Sequence, residues 1–450
     1  MSNHWINDAV FYHIYPLGLC NAPTQNNFAS EPTPRLDYIY QWLDHIQSLG
    51  CNSVLLGPVF ESSAHGYDTA DFIRVDRRLG THDSLIALTR AMKDRNLRVV
   101  LDAVFNHVGR HFFAFQDIQR QGRQSAYVDW FKNLNFDQTS VKGDPFNYEG
   151  WAGHYDLVKL NLSNQEVQAH LFQAVKFWVD HYGIEGLRLD AADQIDPYFF
   201  QLLREYCQTL NPDFWLMGEV VHGDYNHWAN PQLLHATTNY ESYKGLYSSH
   251  VDSNYFEIAY SLNRQFGENG IYKALTLYNF ADNHDVNRVA SNLSNPAHLY
   301  PLYGLLFTMP GVPSLYYGSE WGIEGKRTET SDRPLRPSID IHSIYAAAPH
   351  LHLPDALRRF ADVRQRLSAL RFGTYQQLYV NHQQLAFQRQ TNEQTVIVTI
   401  NAAAEPVCIS LDGLSGGRLY DVLNNEDFPI YQNQASIELD PNWLRIMVVA

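Results

Sequence analysis

Short β-rich runs alternate with amphipathic stretches through most of the chain. The apolar runs AVFYHIY near residue 9, SVLLG at 53, LRVVLDAVF at 97, GLRLD at 186, FWLMGE at 214, ATTNY at 236, TLYNFAD at 276 and PSLYYG at 313 read as eight strands. Helical patterns such as LDYIYQWLDHIQSLG, DSLIALTRAMKDRN, NQEVQAHLFQAVKFWVDHYG and AHLYPLYGLLFTM stand between them. A helix is expected after each strand, with the unit near residue 240 the hardest to delimit. Repeated βα units imply a parallel sheet, and eight of them close into a (β/α)8 TIM barrel of the α/β class.

Two segments break the alternation. The gap between the third and fourth strands is too long for one helix, and residues 108–160 are rich in Gly, Asn, Asp and aromatics, so an inserted subdomain is expected there. After LPDALRRFADVRQRLSAL the pattern changes to QQLAFQRQ, TVIVTI, VCISL and IMVVA, short alternating strands that predict a C-terminal antiparallel β-sandwich over 373–450. The catalytic barrel would then comprise 1–107 and 161–372.

Composition narrows the function. With 450 residues, 45% of them hydrophobic, the chain can bury one large core and carry a smaller second domain. Lys plus Arg total 33 against 48 Asp plus Glu, and a net charge of -15 repels phosphate backbones and anionic membranes, so no nucleic-acid or membrane partner is expected. The start MSNHWINDAVFYHIYP shows no leader pattern, and Cys20, Cys51, Cys207 and Cys408 lie far apart without CxxC pairing, which fits a reducing cytoplasm.

In such barrels the chemistry sits at the C-terminal ends of strands, so polar residues closing apolar runs are the candidates. Asp102 and His107 close LRVVLDAVFNH, Arg188 and Asp190 close GLRLD, Glu219 closes FWLMGE, and His284 and Asp285 close NFADNHD. A single carboxylate there is ordinarily a cap or a solvated loop residue; four strands ending this way point to one acidic mouth. Cleaving an acetal requires a proton for the leaving oxygen and a carboxylate opposite the oxocarbenium-like centre. A third acid beside them helps keep the proton donor protonated, and Arg188, two residues before Asp190, is expected to keep Asp190 ionised.

The strings FYHIYP, GYDTADF, DAVFNH, GLRLDAAD, GEVVHG, FADNHD and GVPSLYYGSE together resemble the α-amylase family of glycoside hydrolases (family 13), in its order and spacing over nearly the whole chain. The resemblance implies Asp190 as nucleophile, Glu219 as acid/base and Asp285 as transition-state stabiliser. It implies that Tyr67 stacks on the sugar being cleaved, while Asp102, His107, Arg188 and His284 bind that sugar or position the nucleophile. Asp332 and Arg336, in SDRPLRP, resemble the pair that grips the next glucose; the plain alternative is a surface salt bridge. SAYVDWF at 125 and VKLN at 158 resemble the neopullulanase and cyclomaltodextrinase group, whose substrates are maltooligosaccharides, cyclodextrins and pullulan. The chain departs from that group in starting its first strand within ten residues of Met1, without the group's N-terminal domain, and in placing Val220 and Val221 after Glu219. Trp151 is expected either as a platform for the leaving glucan or as packing.

No organic cofactor is required for this reaction. Asn106 matches a position that helps bind a structural Ca²⁺ in many family members, but no calcium loop follows the first strand, and His107 and His111 lack the partners of a zinc motif, so no metal ligands are assigned. The expected function is retaining hydrolysis of α-1,4-glucosidic bonds in an α-glucan oligosaccharide or starch. The alternatives are transglycosylation through the same intermediate and a non-catalytic glucan-binding scaffold, which the intact carboxylate set disfavours. Either a monomer or a homodimer is compatible with the sequence.

Overall fold

The computed structural model describes residues 5–450; residues 1–4, the front of the stretch read as leaderless, lie outside the described residues. Eight parallel strands form the central sheet: β1 (Phe11–Ile14), β2 (Ser53–Leu56), β3 (Arg98–Ala103), β4 (Gly186–Leu189), β5 (Trp215–Gly218), β6 (Ala236–Thr237), β7 (Tyr278–Phe280) and β8 (Val312–Tyr316). They neighbour one another in the order β7-β8-β1-β2-β3-β4-β5-β6. A parallel bridge from Thr238 to Tyr278 joins β6 to β7 and closes the barrel.

Alternation along the strands decides what fills it. Phe11, Leu55, Val100, Trp215, Met217, Ala236, Tyr278 and Val312 form an inner cluster, with Phe11 stacked on Trp215 at 5.5 Å. Their neighbours Tyr12, Val54, Leu56, Val99 and Leu101 face the helices and join the main core. Two residues on from Val100 the inward position is Asp102; from Met217 it is Glu219; from Phe11 it is His13. The inner column is therefore apolar at the bottom and polar at the top, where side chains leave the packed layers.

The helices follow the sequence pattern with one exception. α1 (Tyr40–Ser48), α2 (His82–Lys93), α3 (Gln165–Tyr182) and α4 (Pro197–Leu210) cover β1 to β4, while α5 (Tyr240–Val251), α6 (Tyr255–Phe266), α7 (Leu299–Thr308) and α8 (Leu353–Arg366) follow β6 to β8. Between β5 and β6 stands only the 3-10 turn Tyr225–His227, so the expectation of a helix after every strand is corrected there. The intervening segment, GEVVHGDYNHWANPQLL, is too rich in Gly, Asn, Asp and Pro to sustain an α-helix.

Between β3 and α3 the chain forms a three-stranded antiparallel sheet from His107–Gly109, Gly150–Trp151 and His154–Lys159. Arg110 grips Asp144 across this segment with two contacts of 2.7 and 2.8 Å. The C-terminal residues form a six-stranded antiparallel sheet, β9 (Thr374–Val380), β10 (Gln384–Gln390), β11 (Thr395–Asn401), β16 (Trp443–Val449), β13 (Arg418–Asp421) and β14 (Glu426–Pro429) in spatial order, faced by the pair β12 (Val407–Leu411) and β15 (Ala435–Leu439). One face of the large sheet packs on this pair through Ile397, Ile409, Leu419, Ile437 and Met447. The other packs on α7, where Gly304 leaves room for Leu444: a Cβ there would lie 2.5 Å from a Leu444 methyl.

Candidate active site

The polar ends of the barrel strands meet under a cavity of about 1530 Å³. Its floor is organised by Arg188, which is 3% exposed. Nη1 of Arg188 contacts both oxygens of Asp102, at 2.8 and 2.9 Å, and Oδ1 of Asp190 at 3.2 Å. Its Nη2 lies 2.8 Å from Oε1 of Glu219. Asp190 and Glu219 therefore share one guanidinium. Burial works against the charge of Arg188, but Asp102 and Glu219 outweigh it and hold the group firmly protonated.

The turn after β4 brings Asp190 and Glu219 together. Ala191 adopts a left-handed backbone, φ 46°, which costs a residue bearing a Cβ about 1–2 kcal/mol. In that conformation its N–H points at Oε2 of Glu219, 3.2 Å away, and the N–H of Ala192 reaches the Glu219 carbonyl at 3.0 Å. The Tyr240 hydroxyl donates to Oε1 of Glu219 at 3.3 Å.

Asp285 lines the same cavity. Nε2 of His284 approaches its Oδ2 at 2.8 Å and Nη2 of Arg336 its Oδ1 at 2.8 Å. The ring of Tyr67 stacks on His284, centroids 5.4 Å apart, and its hydroxyl donates to Asp102 at 2.8 Å and meets Nε2 of His284. Tyr15 stacks on the other side of His284 at 5.8 Å and lies under the Arg336 guanidinium. Arg336 also contacts Asp332 at 3.4 Å, while Arg327 holds the other Asp332 oxygen at 2.5 Å.

Burial and charge drive the two aspartates apart. Burial pushes Asp190 well up, Glu219 adds to the rise, and Arg188 counters only part of it. Arg188 acts in the direction expected of it, favouring the ionised form of Asp190 against burial and the neighbouring carboxylates. Burial also pushes Asp285 up, but His284 and Arg336 overcome it and hold Asp285 far below the usual carboxylate range. Burial lowers His107 to about 3, so it is neutral; its Nε2 lies 3.9 Å from Oδ2 of Asp190.

All ten residues singled out from the sequence meet in this cluster. Tyr67, His107, Asp190, Glu219, Asp285, Asp332 and Arg336 line the cavity, whereas Asp102, Arg188 and His284 lie beneath it. Tyr15, His13 and Tyr240 were missed. His13 and Tyr15 follow Phe11 on the inward column of β1, so the alternation could have found them. Trp151 lies on the rim between the rings of His107 and His154, at 5.5 and 5.9 Å.

The chain matches the model of the α-amylase catalytic domain over residues 29–348 and that of the maltogenic amylase C-terminal domain over 375–446. It belongs to the α-amylase family. This amylase-family chain is 30% identical to a Bacillus cyclomaltodextrinase over 88% of its own length and 73% of that protein, and 30% identical to neopullulanase 2 of Thermoactinomyces vulgaris over 97% and 77%. Among solved structures, a cyclic α-maltosyl-(1→6)-maltose hydrolase from Arthrobacter globiformis superposes with a TM-score of 0.83 at 27% identity, covering 99% of this chain and 100% of that one. The chain is an α-amylase-family hydrolase whose relatives cleave α-glucans.

Nδ2 of Asn106 contacts Nδ1 of His107 at 3.1 Å, and the Asn106 carbonyl accepts the N–H of Leu160 at 3.1 Å. Among the described residues no group of three or more His, Cys, Asp or Glu is arranged to hold a metal, and no helix is long and apolar enough to cross a membrane.

Proposed function

We propose that the chain is a retaining α-glucan hydrolase in which Asp190 is the nucleophile, Glu219 the acid/base and Asp285 the transition-state stabiliser. The observation that carries the reading is the sharing of Arg188 by Asp190 and Glu219 at the floor of a cavity that Asp285, held by His284 and Arg336, also lines. When a sugar enters, Glu219 gives its proton to the glycosidic oxygen as that bond breaks, and an Asp190 oxygen bonds to the anomeric carbon. Glu219 then takes a proton from water, the water oxygen bonds to the same carbon, and the bond to Asp190 breaks. Asp285, ionised between His284 and Arg336, binds the sugar hydroxyls more tightly as the ring distorts. Tyr67 supplies the stacking face, with Asp102, His107 and His284 on the same ring, and Asp332 with Arg336 holds the next glucose.

Maltooligosaccharides, cyclodextrins and pullulan are the proposed substrates, supported by the names of the cyclomaltodextrinase and neopullulanase relatives. Four free cysteines and an intracellular maltogenic amylase of Bacillus subtilis among the relatives support a cytoplasmic site of action. Glu219→Gln tests the assignment: turnover of maltoheptaose falls by at least about a thousandfold while binding persists. Unchanged turnover would remove Glu219 from the mechanism.

A further inference from the structure

One wall of the cavity is built from two loops that meet over a buried arginine outside the catalytic cluster. Asn21 to Gln25 follow the first strand, and Ala64, His65 and Tyr67 belong to the loop after the second; both line the cavity. Arg78, 4% exposed, lies behind them. Its Nε donates to Oδ1 of Asp76 at 2.9 Å, and its Nη2 to Oδ2 of Asp76 at 2.7 Å and to Oγ of Ser62 at 2.8 Å. The two protons of Nη1 go to backbone carbonyls, Pro23 at 3.0 Å and Ala64 at 2.7 Å. All five N–H groups are used, two of them to clamp one loop to the other.

The clamped wall faces the Asp332–Arg336 side. A Cβ at Gly18 would lie 2.4 Å from the Arg336 carbonyl, and the Ser338 hydroxyl donates to the Leu19 carbonyl at 3.2 Å, so the segment leading into the first loop abuts the strip carrying Asp332 and Arg336. The Tyr15 hydroxyl donates to the His65 carbonyl at 2.6 Å, which ties the second loop to the same side. Tyr67 has its own anchors in Asp102 and His284, so the ring at the cleaved sugar does not depend on the clamp. Asn21, Thr24 and Gln25 are exposed polar residues on a loop whose backbone Arg78 fixes.

We infer that Arg78 is a positioning residue for donor-side specificity: by tying the Pro23 and Ala64 carbonyls together it sets the wall against which the second and later donor sugars bind. This rests on the hydrolase reading and on the placement of the next glucose at Asp332 and Arg336. A guanidinium is required because a lysine ammonium cannot reach two carbonyls, a hydroxyl and both oxygens of a carboxylate at once. Further links between the loops, from Asn26 to the Ser62 carbonyl at 2.9 Å and to the Ser63 carbonyl at 2.8 Å, keep them near each other when the clamp is lost.

The test compares fluoride release from α-glucosyl fluoride, which has one donor sugar, with release from α-maltotriosyl fluoride, which has three. The variants are Arg78→Lys, which keeps a cation beside Asp76, and the double variant Asp76→Asn/Arg78→Met, which strands no buried charge. In both, kcat/KM on the trisaccharide relative to the monosaccharide falls about tenfold, the effect of one or two lost sugar hydrogen bonds, chiefly through KM. An unchanged ratio, including equal losses on both substrates with a lowered melting temperature, overturns the inference alone. Wild-type protein that releases fluoride from neither substrate overturns the hydrolase reading and the inference with it.

Discussion

Replacing Arg188 by methionine would expose how much of the fold's stability the catalytic floor consumes. The guanidinium is the cation shared by Asp102, Asp190 and Glu219, whose side chains are 0%, 11% and 12% exposed. Removing one partner of a buried ion cluster costs about 3–5 kcal/mol, because the remaining charges stay buried without compensation. For 450 residues, an unfolding entropy of roughly 2.1 cal/mol/K per residue gives about 1 kcal/mol per degree, so the melting temperature falls by about 3–5 °C at pH 7. The loss depends on pH in a definite direction. Without Arg188, burial and the neighbouring carboxylates that raise Asp190 go uncountered, so Asp190 holds its proton more tightly folded than unfolded. That contribution is fully present below the unfolded carboxyl range and is lost as pH rises through the folded values, so the gap to wild type is smaller at pH 5 than at pH 8. Urea unfolding at the two pH values measures it. A gap that is absent, or that does not change with pH, would refute the claim that Arg188 neutralises this cluster.

Two further outcomes follow from groups away from the carboxylates. His250 is buried between the Leu246 carbonyl and the Tyr255 hydroxyl, and burial lowers it to about 3 from 6.5. A lowered imidazole adds stability that is complete above 6.5 and is lost as pH falls towards the folded value. Between pH 6.5 and 5, wild type should therefore lose about 1.4 kcal/mol per unit that His250→Gln does not, and parallel urea curves would refute this. Chelation by EDTA should leave both turnover and the melting temperature unchanged, since among the described residues no group of three or more His, Cys, Asp or Glu is arranged to hold a metal; a drop of several degrees would reveal a bound metal.

The barrel and its acidic mouth were legible because each depends on local pattern. A strand that alternates inward and outward and ends in a carboxylate announces both its fold and its chemistry, as Val100 to Asp102 and Met217 to Glu219 do. Asp190 was legible for the same reason, through Arg188. The upward pull on Asp190 was not, because it comes from burial and from Glu219, a neighbour 29 residues away. Tyr240 escaped notice because it opens a helix rather than closing a strand run, and its contact with Glu219 exists only once β5 and β6 pair. The left-handed turn at Ala191 carries no sequence signal, since alanine replaces the glycine or asparagine usually found in such a conformation. Arg78 was unreadable for a similar reason: DRR looks like a solvated charge run until the Pro23 and Ala64 carbonyls converge on it. The segment after β5 is the reverse case: barrel regularity predicts a helix where the composition itself argues against one.

The central claim is that one carboxylate forms a glycosyl bond that a second then helps water to break, and the anomeric form of the first product tests it most directly. Wild-type protein is mixed with maltoheptaose and the anomeric protons are followed by NMR before mutarotation. Two inversions at the same carbon predict that the newly formed reducing end appears as the α-anomer and relaxes slowly to the mixture. Initial appearance of the β-anomer would mean direct attack by water, and Asp190 would lose its role as nucleophile.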